Sequence, residues 1–276
     1  MEHLPRITDL LAARPSWPSP VVLVPTMGAL HAGHLALFHR ARDLAGPDGT
    51  VAATVFVNPL QFDRIKDLRS YPSSLETDLA AAEQHGVDAV FAPARDAFYA
   101  SDHSVTVCES LLSKHLCGAT RPGHFEGVCT VVLKLFNLLR PDAAVFGKKD
   151  YQQLAIIRRM VRDLSVPVTI HGLETIREAD GLAMSSRNVR LSEVERADAP
   201  RIRAALRAAR DIATTGEQRP DVYLAAARHH VEQSSAGARI DYLQLVDRET
   251  LQPLGKVTRP ALLAIGLFSG VVFFSF

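Results

Sequence analysis

The sequence predicts an α/β protein, with a parallel-sheet domain over residues 1–175 and a smaller α+β domain over residues 176–276. Three observations predict it. Short apolar runs alternate with helical patterns from Val21 to Ile170. After about Thr175 the texture changes to helical segments rich in Ala and Arg, then to two apolar runs. With 276 residues, the chain is long enough for two moderate domains with cores of their own.

The elements follow in order. Residues 21–24 are an unbroken apolar run, expected as a buried strand that Pro25 ends. Residues 33–45 read as the helix after it, and 51–57 as the next strand. A helix is expected over 75–85 and a strand over 88–92. Val128, Val131, Val132, Leu135, Phe136 and Leu139 fall at helical spacing and give one apolar face. Residues 143–146 read as a strand, 152–163 as a helix and 166–170 as a strand. Strands alternating with helices imply right-handed crossovers and a parallel sheet, whose ligands bind beyond the carboxyl ends of the strands. In the second domain one long helix is expected over 192–214 and another over 222–232. Residues 240–246 and 262–265 read as strands.

Bulk composition excludes several classes. The net charge is +1, so no global field draws in nucleic acid or anionic lipid. Hydrophobic residues at 47% and charged residues at 22% are those of a folded globular chain. Cys108, Cys117 and Cys129 are odd in number and form no C-x-x-C, so neither a disulfide framework nor a four-cysteine zinc site is expected. A cytoplasmic location follows as the expectation. The first twenty residues carry Glu2 and no apolar segment, unlike a secretory leader. Residues 261–276 lack charge but are shorter than the roughly 20 apolar residues of a membrane helix. A buried strand pair or an abnormal chain end is expected there rather than a membrane anchor, and no membrane partner.

Five stretches are candidates for chemistry. In PTMGALHAGH, residues 25–34, a strand gives way to a glycine-punctuated turn and a helix start. Unpaired N–H groups and the positive dipole end there suit a phosphate. His31 and His34, about one turn apart, can face the same ligand. A zinc role needs further ligands, and no H-E-x-x-H or cysteine pair supplies them. Two ordinary histidines remain the other reading. In FVNPLQF, residues 56–62, Asn58 and Gln61 are amides at a strand end, suited to hydroxyl and carboxylate groups; a plain Asn-Pro turn is the alternative. FGKKDYQQL, residues 146–154, again joins strand to helix. There Lys149 is a mobile cation for phosphate, Asp150 can cap the helix, and Gln153, one turn in, can point back at the ligand face. In READGLAMSSRN, residues 177–188, two hydroxyls precede Arg187, forming either an anion-binding donor set or a junction loop. RPGHFEG, residues 121–127, is a ligand-facing loop or a helix-start turn. No G-x-x-x-x-G-K-[ST], G-x-G-x-x-G or G-x-S-x-G occurs. Cations and amides without a nucleophile suit phosphoryl or nucleotidyl chemistry, in which the protein positions and neutralises.

These stretches, in this order over residues 25–188, together resemble the pantothenate synthetase (pantoate–β-alanine ligase) family. The His31-Ala-Gly-His34 element also resembles the HIGH signature of nucleotidyltransferases and class I aminoacyl-tRNA synthetases. The resemblance implies a Rossmann-like N-terminal domain, a C-terminal lid domain and a homodimer. It implies ATP with Mg²⁺, and small-molecule substrates: pantoate attacks the α-phosphate to give pantoyl adenylate and pyrophosphate, and β-alanine then gives pantothenate and AMP. It places Met27, Gly28, Ala29, Leu30, His31, Ala32, Gly33 and His34 at ATP, with His34 as proton donor. Gly147, Lys148, Lys149, Asp150, Ile176, Met184, Ser185, Ser186 and Arg187 join them. The catalytic set it implies is His34, His31, Lys149 and Arg187. Gln61 and Gln153 would hold pantoate, with Gln61 also near β-alanine and Asn58 beside them. No fixed protein metal site is expected. Four departures stand out: Ser73 where Arg is usual, Lys148 where Glu is common, Glu126 where Arg is common, and VVFFSF after Gly270.

Overall fold

A computed structural model describes residues 1–63, 65–69, 71–72, 74–233, 237–269 and 272–275. Ser73, one of the departures above, lies outside the described residues, as do residues 270, 271 and 276 of the ending.

The chain forms Glu2–Leu4 (β1), Ile7–Ala13 (α1), Val21–Thr26 (β2), Ala32–Ala45 (α2), Thr50–Val55 (β3), Ile65–Arg69 (α3), Leu75–Gln84 (α4) and Ala89–Phe91 (β4). Arg95–Phe98 (α5), Leu116–Thr120 (α6), His124–Leu139 (α7), Ala143–Gly147 (β5), Tyr151–Asp163 (α8) and Thr169–Leu173 (β6) follow. The last elements are Glu193–Asp198 (α9), Arg201–Ala213 (α10), Pro220–Glu232 (α11), Arg239–Asp247 (β7), Ala261–Ser269 (β8) and Val272–Ser275 (β9). The first six strands form one parallel sheet in the order β1-β4-β3-β2-β5-β6, and the last three an antiparallel sheet in the order β7-β8-β9. The α/β class expected from the sequence is the class observed.

Two compact units are present, and neither is continuous in sequence. One comprises Met1–Glu109, Gly123–Lys148 and Ile156–Ile176; the other comprises Ser110–Pro122, Lys149–Ala155 and Arg177–Phe276. The sequence alone predicts a single cut after residue 175. In the first unit, Val22, Val24, Val51, Ala53, Val90 and Val145 pack with Leu37, Phe38 and Ala41 of α2 and Ala82 of α4. Val21, Leu23 and Ala52, on the opposite sheet face, are equally buried. Burial on both faces is why these strands read as continuous apolar runs. In the second unit, Ile202, Ala205 and Ala209 of α10 and Tyr223, Ala227 and Val231 of α11 pack on Leu243, Leu245, Ile265 and Leu267. Among the described residues no helix is long and apolar enough to cross a membrane.

Several elements depart from expectation for local reasons. Strand β2 runs through Pro25 to Thr26. Asp142 N–H donates to Val21 O and Phe56 N–H to Thr26 O, so alternate residues face alternate neighbours. Pro25 therefore faces the β5 side, where the register ends at Leu23↔Ala144, and its missing N–H costs no ladder bond. The helix expected over 192–214 is two helices, broken where Pro200 can supply no N–H. Ser192 and Glu195 close a capping box at the start of α9. Strand β6 begins three residues later than expected, after a turn in which Val168 N–H donates to Val166 O across Pro167. The strand pair expected in the uncharged ending is β8 with β9.

Candidate active site

Strands β3, β2 and β5 are neighbours, and the strand order reverses between β2 and β5. Ligands of open parallel sheets bind beyond the carboxyl ends at such a reversal. Three of the candidate stretches leave these strand ends: residues 27–31 from β2, 58–61 from β3, and Gly147 and Lys148 from β5.

The corner after β2 is held from several sides. Gly28 and Ala29 both have left-handed backbone, with φ of 83° and 51°. A Cβ on Gly28 would lie 2.7 Å from Asp78 Oδ2, so only glycine fits. Thr26 Oγ1 accepts the Gly28 N–H at 3.2 Å and donates to Thr54 O at 2.6 Å. Asp78, 3% exposed in the first turn of α4, accepts the N–H groups of Ala29 at 2.9 Å and Leu30 at 2.8 Å. Leu30, Ala32 and Gly33 complete the turn into α2.

His31 is the N-cap of α2. Its Nδ1 accepts the Gly33 N–H at 3.1 Å, while His34 Nδ1 accepts the His31 N–H at 3.3 Å. A backbone N–H can only donate, so both Nδ1 atoms are acceptors and the neutral rings carry their proton on Nε2. The ring centroids stand 4.1 Å apart. Two Nε2–H donors thus sit together at the positive end of a helix.

Beside this corner is an amide cluster. Asn58 is 1% exposed and saturated: Nδ2 donates to Gln61 Oε1 at 3.1 Å and Gly127 O at 3.0 Å, and Oδ1 accepts from Tyr99 Oη at 3.0 Å and Leu60 N–H at 3.3 Å. Gln61, half-buried, donates through Nε2 to Met27 Sδ at 3.0 Å. His124 Nδ1 donates to Gln61 O at 2.7 Å. Asn58 therefore orients Gln61, and RPGHFEG supplies the struts. Lys148, at the end of β5, is paired with Glu174.

Lys149, Asp150 and Gln153 belong to the second unit. Lys149 Nζ lies 3.6 Å from Asp150 Oδ1. Gln153 is half-buried in the first turn of α8. Its neighbour Gln152 is the structural amide, donating to Leu112 O at 2.8 Å and His115 O at 2.7 Å and accepting from Cys117 N–H at 3.1 Å. READGLAMSSRN forms a tight hairpin closed by an Arg177↔Ala183 bridge. Asn188 Nδ2 clamps it to Glu178 Oε1 at 2.7 Å and Ala183 O at 3.1 Å, and Arg196 holds Glu178 and Asp180 at 2.6 Å each. Ser185 Oγ accepts the Arg187 N–H at 3.2 Å, and Met184, Ser185, Ser186 and Arg187 are all half-buried. Ile176 is the last residue of the first unit.

Sequence reasoning thus brings Met27, Gly28, His31, His34, Asn58 and Gln61 into one neighbourhood of the first unit. It missed Asp78 and Tyr99, while the stretch that holds Gly127 was among its candidates. Asp78 and Tyr99 carried no signal of their own.

A parallel sheet with this corner at its reversal point defines an α/β protein of the class that binds ligands beyond its strand ends. The sequence pattern described as Pantoate-beta-alanine ligase matches residues 2–272. The chain is 55% identical over 252 residues to a pantothenate synthetase of Akkermansia muciniphila, covering 91% of this chain and 89% of that protein. The crystal structure of pantothenate synthetase from Thermus thermophilus superposes with a TM-score of 0.93 at 42% identity, covering 100% of this chain and 98% of that one. A pantoate-beta-alanine ligase from Francisella tularensis, complexed with beta-gamma ATP and beta-alanine, superposes with a TM-score of 0.79 at 27% identity, covering 100% and 97% of the two chains. The chain belongs to the pantoate–β-alanine ligase family and is an enzyme of that family.

Proposed function

We propose that the enzyme condenses (R)-pantoate with β-alanine at the expense of ATP, through an enzyme-bound pantoyl adenylate. The observation that carries this reading is the pair of cap-locked histidines beside the Gln61 amide. In the first step a pantoate carboxylate oxygen attacks the α-phosphorus of ATP, and the bond to the bridging oxygen of pyrophosphate breaks. Negative charge grows on the departing phosphates, and the Nε2–H groups of His31 and His34 donate to it. In the second step the free amine of β-alanine attacks the acyl carbon, AMP leaves with the bonding electron pair, and the nitrogen gives up a proton to solvent as the amide forms. Because the substrate carboxylate is itself the nucleophile, a protein nucleophile is not needed.

The other roles follow the family resemblance. Residues 27–34, Gly147, Lys148, Asp150, Ile176 and residues 184–186 bind ATP, and Lys149 and Arg187 add cationic donors for its phosphates. Gln61 and Gln153 hold pantoate, with Asn58 fixing the Gln61 head. Among the described residues no three His, Cys, Asp or Glu side chains are grouped to hold a metal ion. In this reading Mg²⁺ accompanies the ATP and would neutralise phosphate charge when bound. We place the enzyme in the cytoplasm as a homodimer.

The test is pyrophosphate release from Mg-ATP and pantoate alone, followed by AMP and product on adding β-alanine. Release that requires β-alanine from the start would rule out the adenylate. Release with other acids but not pantoate would rule out the substrate assignment.

A further inference from the structure

We propose that Asp78 is a positioning residue of the phosphate corner: its carboxylate fixes the turn at Gly28–Leu30 and, through that turn, the direction of both histidines. The proposal rests on the reading of this corner as the nucleotide site. Asp78 lies on α4, 48 residues beyond Leu30 in the chain, and is buried although it is a carboxylate. Such a group is retained in a core when its charge is answered by donors. Here the donors are two successive backbone N–H groups, of Ala29 and Leu30.

The backbone explains why a clamp is needed. Ala29 has a φ of 51°, a sparsely populated region for alanine that persists only where the surroundings impose it. Successive N–H groups converging after left-handed residues form an anion-binding nest. Asp78 fills that nest, so these two N–H groups are withheld from the nucleotide. The next N–H along the chain is that of His31, and it donates to His34 Nδ1. The order is thus continuous: the carboxylate fixes Leu30 N–H, the turn directs His31 N–H, and His31 N–H sets the tautomer and angle of the His34 ring. Asp78 touches no substrate in this account.

The test uses the full chain. Asp78→Asn preserves volume but turns an amide NH₂ toward one of the two N–H donors. A lost charge-assisted bond corresponds to about 10- to 100-fold in an equilibrium constant. Calorimetric titration of Asp78→Asn with a non-hydrolysable Mg-ATP analogue should therefore show affinity reduced about 10-fold or more, with KM for β-alanine unchanged. Adding Ala29→Gly, which accepts left-handed backbone freely, should recover part of the loss. A purely electrostatic role would show no such rescue. Asp78→Asn with a lower melting temperature but wild-type analogue affinity and kcat overturns the proposal. Amide exchange on the wild-type chain decides independently of whether the variant folds: Ala29 and Leu30 should be protected before any nucleotide is added. Protection that arises only with the analogue overturns it. If the wild-type chain fails to bind the analogue at all, the nucleotide reading falls, while the exchange result still judges the clamp.

Discussion

Gly127→Ala is the substitution whose effect can be worked most directly from distances. Gly127 lies in the first turn of α7, and an added Cβ would meet Leu60 C and O at 2.4 Å and Gln61 N at 2.6 Å. Ordinary contact begins near 3.4 Å, so α7 and the turn at Pro59–Gln61 must part by about 1 Å. All three atoms are backbone, so no side-chain rotation relieves the clash. The Asn58 Nδ2–Gly127 O bond, now 3.0 Å, would stretch to roughly 4 Å and fail, since such bonds end near 3.2 Å. Overpacking costs about 1–3 kcal/mol and a broken buried bond about 1–3 more, against about 1 kcal/mol gained by alanine in a helix. A net loss of about 1–5 kcal/mol is expected, read by urea melts. Gln61 loses its support at the same time, and a misplacement of about 1 Å can cost about 10²-fold in rate. The drop in kcat/KM for pantoate, followed by pyrophosphate release, should exceed the drop for ATP. Gly255→Ala, with nothing within 4 Å of its added Cβ, is the neutral control. A Gly127→Ala enzyme with wild-type stability and kcat/KM would refute the reasoning that this glycine sets the amide cluster.

Three further outcomes are expected. Cys108 is exposed, whereas Cys129 is buried and burial pushes its thiol up to about 12, so a disulfide reagent should label Cys108 quickly and Cys129 only after denaturation; fast labelling of Cys129 in native protein would contradict the packing of α7. Asp247 is held below the usual carboxylate range chiefly by the Thr250 N–H, then by the Thr250 hydroxyl, the Glu249 N–H and Arg259. Its folded form binds the proton less readily than the unfolded chain, so its contribution is full above about pH 4 and is lost as pH falls below that; melts between pH 5 and 3 should show a shallower acid decline for Asp247→Asn, and parallel declines would count against it. His31→Asn keeps a good N-cap for α2 but removes Nε2–H, so stability should change by about 0.5 kcal/mol or less while turnover falls about 10²–10³-fold; wild-type turnover would remove His31 from the chemistry.

The central strands were legible because burial on both faces makes a parallel strand an uninterrupted apolar run. Boundaries were less legible where proline acted. Pro25 looks like a strand end, but its missing N–H points to a side where the ladder has already stopped. Pro200 breaks a helix whose Ala- and Arg-rich pattern continues on both sides. In the candidate site, strand–turn–helix context singled out PTMGALHAGH without any knowledge of its contacts. Asp78 was not legible, because an acid in the first turn of a helix has an ordinary explanation in the helix dipole. Its partners lie 48 and 49 residues away, and no local pattern encodes that distance. Gln152 and Gln153 show the same limit: adjacent and chemically identical, they differ only in which one the fold buries.

For His31 and His34, the sequence left a ligand role and an ordinary structural role as competing explanations. The cap geometry is compatible with both at once. The bond that caps α2 through His31 Nδ1 is also the bond that places the ring proton on Nε2, and the His31 N–H does the same for His34. A zinc ion approaching either Nδ1 would have to displace a helix-terminal hydrogen bond, and in the proposed reading it is Nε2 that would meet the phosphates. A donor whose tautomer is set in the folded state needs no reorganisation when phosphate charge develops, and that is the condition under which a hydrogen bond favours a transition state over its ground state. In the proposed reading the same logic separates the pair from Lys149, whose flexible stem would let it follow a phosphate but would not fix it in advance. A cap built from two histidines therefore trades the stronger N-capping of Asn or Ser for a pair of directed donors.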